Sequence, residues 1–180
     1  PRLSLLVLVT AYLGFYLGIR SQGEYVFSYD ELYLLFYLLF GIFLSSSGSI
    51  VLNQVIEKDH DAKMQRTKNR PIPTGKISSL VATIYGFSLI ISGIALLLFK
   101  TNAITALLSF LTVISYLLIY TPMKRFSTLN TLIGSVPGAI PPMGGWTAAT
   151  GSLSEGSWVL FGILFCWQMP HFMAIAILYA

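Results

Sequence analysis

Long apolar runs alternate with short polar connections along this chain. Six of the runs, at about residues 3–19, 32–52, 78–99, 103–121, 128–149 and 157–179, reach the length that crosses a bilayer. A membrane-spanning helix needs roughly 20 residues at about 1.5 Å of rise each. The pattern predicts an all-α fold, a multi-pass transmembrane helical bundle, with connections too short to hold a second domain. Residues 1–180 are read as one transmembrane domain.

Two runs depart from a plain apolar helix. In the second, Ser45, Ser46, Ser47, Gly48 and Ser49 follow one another, and small residues let helix backbones approach closely in lipid. In the fifth, Gly134, Pro137, Gly138, Pro141, Pro142, Gly144 and Gly145 fall within twelve residues. Proline removes a helical hydrogen bond and clashes with the preceding turn. Irregular backbone at membrane depth survives only beside protein or a water-filled cavity. That run is therefore expected to kink or unwind beside a chamber. In the sixth, Gln168 and His171 lie three apart on one face, and ionisable groups in spans face a cavity or a partner.

Composition agrees with the pattern. Hydrophobic residues make up 55% of the chain, charged residues 10%, and mean hydropathy is +0.74, outside the range of ordinary soluble domains. The 25 aromatic residues suit the walls of a greasy chamber, with many left to face lipid. Cys166 is the one cysteine, which excludes an intrachain disulfide. The chain opens at Pro1 rather than Met and closes at Ala180 at the edge of an apolar run, so it is expected to be cut at both ends. Its first run lacks an A-x-A pattern and leads into further spans, unlike a cleavable signal peptide.

Charge then orients the bundle. If the spans alternate, nine of the eleven Lys and Arg residues fall on one side, six of them in the connection after the second run. The positive-inside rule places that side in the cytoplasm. The net charge of +4 follows from topology, and no basic stripe interleaved with aromatics points to nucleic acid.

That connection, LNQVIEKDHDAKMQRTKNRPIPTGK over residues 52–76, holds nine charged side chains. Asn53, Glu57 and Asp61 are spaced by four, which on a helix leaving the second span puts three oxygen-bearing side chains on one face. Two carboxylates so placed repel, and the repulsion grows as the effective dielectric falls. A divalent cation reverses the sign. Mg²⁺ takes oxygen ligands and is commonly held by one or two carboxylates together with substrate phosphates. Lys63, Arg66, Lys68 and Arg70 follow closely, and Arg pairs bidentately with phosphate. Two prolines and a glycine in Arg70-Pro71-Ile72-Pro73-Thr74-Gly75 are expected to hold the arginine end in place. Asp59 stands off this face, four residues before Lys63, and reads as a surface ion pair. Without a bound ion, the same acids and bases also read as a solvated loop.

The pattern N-x-x-x-E-x-x-x-D followed by M-x-R-T-x-x-R-P-I-P-x-G, from Asn53 to Gly75, resembles the first aspartate-rich motif of the UbiA-type intramembrane prenyltransferases. Within that superfamily the chain is similar to the haem-farnesylating branch, the protohaem IX farnesyltransferases. Three stretches carry the narrower likeness: YTPMKRFSTLNTLIGSVPGAIPPMGGWTA from Tyr120 to Ala148, WQMPHFMAIAILY from Trp167 to Tyr179, and PRLSLLVLVTAYLGFYLG at the start.

The resemblance implies a nine-span bundle around a lipid-accessible cavity, of which six spans lie in this chain. Two acidic motifs would hold Mg²⁺ and an isoprenyl diphosphate, and the second is expected beyond Ala180, so this length is not expected to act alone. Asn53, Glu57 and Asp61 become Mg²⁺ ligands, and Arg66, Arg70, Lys124 and Arg125 diphosphate contacts. Tyr120 is a further candidate contact, and His171 a candidate haem contact. Lys124 and Arg125 also read as positive-inside anchors, Tyr120 as an interfacial aromatic, and His171 as an interhelical hydrogen-bond partner. The implied substrates are farnesyl diphosphate and haem b, the implied location is a bacterial inner membrane rather than an organellar one, and the product would pass to a haem-modifying or oxidase-assembly protein. A prenyltransferase acting on a quinone precursor or lipid is the nearest alternative. A transporter lined by the broken fifth span is of another class.

Overall fold

A computed structural model describes residues 2–23, 26–123 and 130–178. The elements in order are α1 (Arg2–Ser21), α2 (Tyr29–Ile56), a single turn α3 (Lys58–Asp61), α4 (Ser79–Lys100) and α5 (Ala103–Ile114). A π-helical turn (Ser115–Tyr120), the short α6 (Thr121–Met123), α7 (Asn130–Thr150) and α8 (Glu155–Leu178) follow. No strand occurs among the described residues, so the all-α expectation holds.

Among the described residues, Ser4–Ser21, Tyr29–Ile56, Ser79–Lys100 and Ala103–Met123 are helical stretches long and apolar enough to cross a membrane. The fifth and sixth predicted runs are the helices α7 and α8. Polar caps set where several helices begin. Ser28 Oγ accepts from the Glu31 N–H at 3.3 Å while Glu31 Oε2 accepts from the Ser28 N–H at 2.6 Å, a reciprocal box that starts α2 three residues before its apolar run. Ser78 caps α4 through the Val81 N–H, and Asn102 caps α5 through the Thr105 N–H.

Lipid tails are as apolar as leucine, so helices here associate through close packing and interhelical hydrogen bonds rather than water exclusion. The antiparallel pair α2 and α4 meets along glycines: a methyl group on Gly48 would lie 2.5 Å from Gly86 O, and one on Gly93 2.7 Å from Gly41 O. The expected close packing of the small second-span residues is present, but the two kinds divide the work. The glycines face α4, while Ser45 turns to α5 and pairs with Ser109 at 3.0 Å. Helix α1 lies along α7 in the same manner, with Gly14 against Pro142 O and Gly145 against Ala11 O. Phe15, Leu38 and Leu97 are wholly buried where α1, α2 and α4 meet. Thr105 Oγ1 and Thr147 Oγ1 lie 2.9 Å apart and Asn102 Nδ2 donates to Thr147 O at 2.7 Å, which ties α5 to α7.

One expectation is corrected. The Gly/Pro-rich run does not unwind: α7 is continuous through Pro137, Pro141 and Pro142. Neighbouring helices can hold a proline-bearing helix together in a membrane, and here α1, α5 and α8 pack around it, with Ser135, Ala139, Met143 and Thr147 buried. Its small residues serve close approach instead of a break.

This packing makes a paired prediction. Gly145→Ala thrusts a methyl into the α1 backbone and should destabilise the protein in detergent by about 1–3 kcal/mol, the usual cost of overpacking. Gly162→Ala in α8, with nothing within 4 Å of the new atom, should be neutral or stabilising by up to about 1 kcal/mol through helix propensity. Thermal unfolding of the two variants checks this, and equal shifts would count against the close contact.

Candidate active site

Helix α2 ends at Ile56, and Glu57 adopts φ −95°, ψ 5° before the single turn of α3. The i,i+4 path nevertheless continues through the break. The Glu57 N–H donates to Asn53 O at 2.9 Å, and the Asp61 N–H donates to Glu57 O at 2.8 Å. Asn53, Glu57 and Asp61 therefore stay in register as their spacing predicts, and both carboxylates are buried, at 6% and 4% exposure.

Burying a carboxylate is costly unless hydrogen bonds or opposite charge replace its water. Asn53 Nδ2 donates to Glu57 Oε2 at 2.9 Å, and Arg70 Nη1 forms an ion pair with Asp61 Oδ2 at 2.6 Å. Thr67, itself buried, donates its hydroxyl to Asp61 O at 3.0 Å. The chain between Asp61 and Arg70 returns as a series of turns, and beyond it Thr74 donates through both N–H and hydroxyl to Arg70 O. Gly75 takes the left-handed φ of 75° that closes this return, and Ile72 between the prolines is buried. The Pro-Ile-Pro-Thr-Gly stretch thus braces the backbone at Arg70 and holds the arginine end in place, as expected.

The other candidates fare differently. Arg66 is exposed and stands outside the Asp61–Arg70 pair. Lys124 and Arg125 lie outside the described residues. The expected Asp59–Lys63 ion pair is absent: both side chains are exposed and unbridged, because α3 ends at Asp61 and the i,i+4 register is lost before Lys63.

Beyond this motif, toward the middle of the bundle, lies a cavity of about 670 Å³ between α1, α2, α5, α7 and α8. That size is typical of a small-molecule site. Its wall is mainly apolar, with Ser45, Ser49, Ser109 and Thr112 on one side and Gln168 and His171 on the other. The Gly/Pro-rich helix does border it, through Pro137, Gly138 and Pro141. His171 stacks on Trp167 with ring centroids 4.9 Å apart, and Gln168 fits against Gly138, where a methyl group would collide with its amide at 2.5 Å. Tyr116, Tyr120 and Trp167 are the tyrosine and tryptophan lining, whereas aromatics such as Tyr29, Phe36 and Phe99 point outward.

Tyr116 and Tyr120 connect cavity and motif. Their rings stack at 5.7 Å, and both stand close enough to Glu57 to feel its charge. Gly134 leaves room for the Tyr120 ring, since a methyl group there would meet it at 2.7 Å. Tyr116 and Thr121 were not singled out from sequence, Thr67 stood only as a letter of the M-x-R-T pattern, and Gly134 only as one of the small residues of the fifth run. The only available signals were the Tyr116/Tyr120 spacing of four and the Thr121-Pro122 pair that follows.

The site collects a buried carboxylate pair, an amide and an ion-paired guanidinium beside an apolar chamber. Among the described residues no three His, Cys, Asp or Glu side chains converge as a metal-binding group. The available hard donors are the two carboxylates and the Asn53 amide oxygen, a set that fits Mg²⁺ when phosphate oxygens complete its shell.

Comparison with known proteins gives the family. Residues 7–180 match the UbiA prenyltransferase family. A protoheme IX farnesyltransferase from Solibacter usitatus is 39% identical over 181 residues, covering 99% of this chain and 62% of that protein. One from Opitutus terrae is 44% identical over 176 residues, covering 98% and 57%, and one from Leptospira interrogans is 43% identical over 178 residues, covering 98% and 59%. The chain thus spans about six-tenths of the length of these relatives. The apo structure of a UbiA homolog from Aeropyrum pernix K1 superposes with a TM-score of 0.68 at 23% identity, over 93% of this chain and 60% of that one, and so shares the fold. This is an integral membrane protein, and it belongs to the UbiA prenyltransferase family.

Proposed function

We propose that the protein transfers a farnesyl group from farnesyl diphosphate to a vinyl group of haem b, giving haem O. The observation that carries this reading is the buried Glu57/Asp61 pair, with Arg70 paired to Asp61, linked through Tyr116 and Tyr120 to a cavity lined mainly by apolar groups. A diphosphate needs cations, its isoprenyl tail needs an apolar chamber, and the two environments here are joined by Tyr116 and Tyr120.

In this reading Asn53, Glu57 and Asp61 hold Mg²⁺, which when bound supplies charge stabilisation for the departing diphosphate. Arg70, aimed by Asp61 and braced by Thr74, contacts the diphosphate, with Arg66, Lys124 and Arg125 adding charge around it. Preorganised charges of this kind stabilise the negative charge that grows as the C1–O bond breaks and its electron pair leaves with diphosphate. Farnesyl C1 then bonds the terminal vinyl carbon of haem b. Water adds to the cationic carbon that remains and loses a proton, which leaves a hydroxyethylfarnesyl side chain. The apolar wall excludes water until this stage, since early water would hydrolyse the allylic donor. His171 and Gln168, across the cavity from the serines, take the acceptor side, with His171 in contact with the macrocycle. Tyr120 flanks the path of the diphosphate.

In this reading the membrane is the inner one of a bacterial cell, and the excess of bases on the 53–76 side supports a cytoplasmic position for that connection. A haem-modifying or oxidase-assembly protein would collect the lipid-soluble product.

Membranes carrying the intact protein, given haem b, farnesyl diphosphate and Mg²⁺, should yield farnesylated haem by mass. Farnesylation of a quinone precursor or lipid instead would contradict the acceptor. Asp61→Asn should lower turnover by about 100-fold or more, the scale of losing one preorganised electrostatic group, with insertion unchanged, and full activity would remove the role given to Asp61. Arg70→Lys keeps the charge but loses the planar fork. Its KM for farnesyl diphosphate should rise on the order of tenfold, the worth of one charge-assisted hydrogen bond, and an unchanged KM would take Arg70 off the diphosphate.

A further inference from the structure

The π-helical turn at Ser115–Tyr120 has a distant effect. Pro122 has no N–H to return to the carbonyl four residues back, and the π turn ends just before it. The Thr121 N–H reaches Tyr116 O, five residues back. The widened turn leaves Thr121 wholly buried, with its hydroxyl facing the end of α2, 68 residues earlier in the chain.

Thr121 Oγ1 lies 2.8 Å from Asn53 Oδ1 and 2.8 Å from Tyr116 O, but a hydroxyl has one hydrogen. Tyr116 O already accepts the Thr121 N–H. Asn53 Nδ2 donates to Glu57 Oε2 at 2.9 Å, so that end of the amide is taken by the carboxylate. The oxygen end of that amide must therefore face Thr121, and it requires a donor there. The chain Thr121 O–H to Asn53 Oδ1, and Asn53 Nδ2–H to Glu57, runs in one direction only. Without the hydroxyl, only the bond to Glu57 holds the amide, and its NH₂ group can more readily turn to where a cation needs an oxygen.

We infer that Thr121 is a positioning residue: its hydroxyl fixes which end of the Asn53 carboxamide faces Glu57, and so sets the affinity of the motif for a divalent cation. This rests on the proposed reading of Asn53, Glu57 and Asp61 as ligands for a cation that also binds diphosphate. A second lone pair on Asn53 Oδ1 remains for that cation while the first accepts from Thr121.

The test is Mn²⁺ binding to the intact protein in detergent, read by electron paramagnetic resonance with inorganic diphosphate present, for wild type, Thr121→Val and Thr121→Ser. Valine keeps the β-branched shape and removes the hydroxyl. Loss of a group that orients a metal ligand weakens binding roughly 10- to 100-fold, so Thr121→Val should require that much more Mn²⁺, while Thr121→Ser should stay close to wild type. Each variant should still unfold cooperatively, so that its Mn²⁺ affinity is read on a folded protein. If the valine variant fails to fold, Thr121→Ala takes its place. Equal Mn²⁺ affinity in wild type and the hydroxyl-free variant overturns the inference and leaves the proposed function standing. Wild type that binds no Mn²⁺ in the presence of diphosphate overturns both.

Discussion

Two carboxylates are buried at one end of a membrane bundle, where water is scarce and the helix that carries them cannot neutralise both. Their partners come from elsewhere in the chain: Arg70 from the far side of the turn-rich connection, and Thr121, through Asn53, from the end of a different span. An unpaired buried carboxylate costs several kcal/mol or else takes up a proton. The fold of the 57–78 connection and the π turn at residues 115–120 can both be read as answers to that demand. The first brings Arg70 to Asp61, and the second brings Thr121 to the Asn53 amide that serves Glu57.

The rest of the bundle shapes the space that the acids serve. Gly41 and Gly48 draw α2 onto α4, and Gly14 and Gly145 draw α1 onto α7, so two tight pairs form first-rank contacts without any hydrophobic force between helices. Serines and threonines on α2, α5 and α7 add hydrogen bonds between elements, as in Ser45–Ser109 and Thr105–Thr147. Between the pairs a cavity stays open, closed on one side by α8 with Gln168 and His171. Tyr116 and Tyr120 border both this chamber and the charged end, so a ligand with an anionic head and an apolar tail finds both environments in sequence.

Much of this was readable from local pattern. The long helices followed from runs of apolar residues, and the acids from their spacing of four, which survived even though Glu57 interrupts the helix. What escaped depended on contacts between distant segments. Prolines in residues 137–142 pointed to a kinked or unwound segment, and the unwinding does not occur because three helices, invisible in the sequence, pack around it. Asp59 and Lys63 looked paired because the end of α3 was invisible. Thr121 gave no signal of its own, since its role arises only when a π turn aims it at Asn53. Arg66 and Arg70 look equivalent in sequence, yet only Arg70 returns to Asp61, and that difference belongs to the turns between them.

The claim at the centre is that the Asn53, Glu57 and Asp61 oxygens hold the cation through which a prenyl diphosphate is bound. Isothermal titration of the intact protein with farnesyl diphosphate, once with Mg²⁺ and once with a chelator, tests it most directly. Heat of binding that appears with Mg²⁺ and vanishes when the ion is chelated is the expected result. Equally tight binding in the presence of the chelator would contradict it.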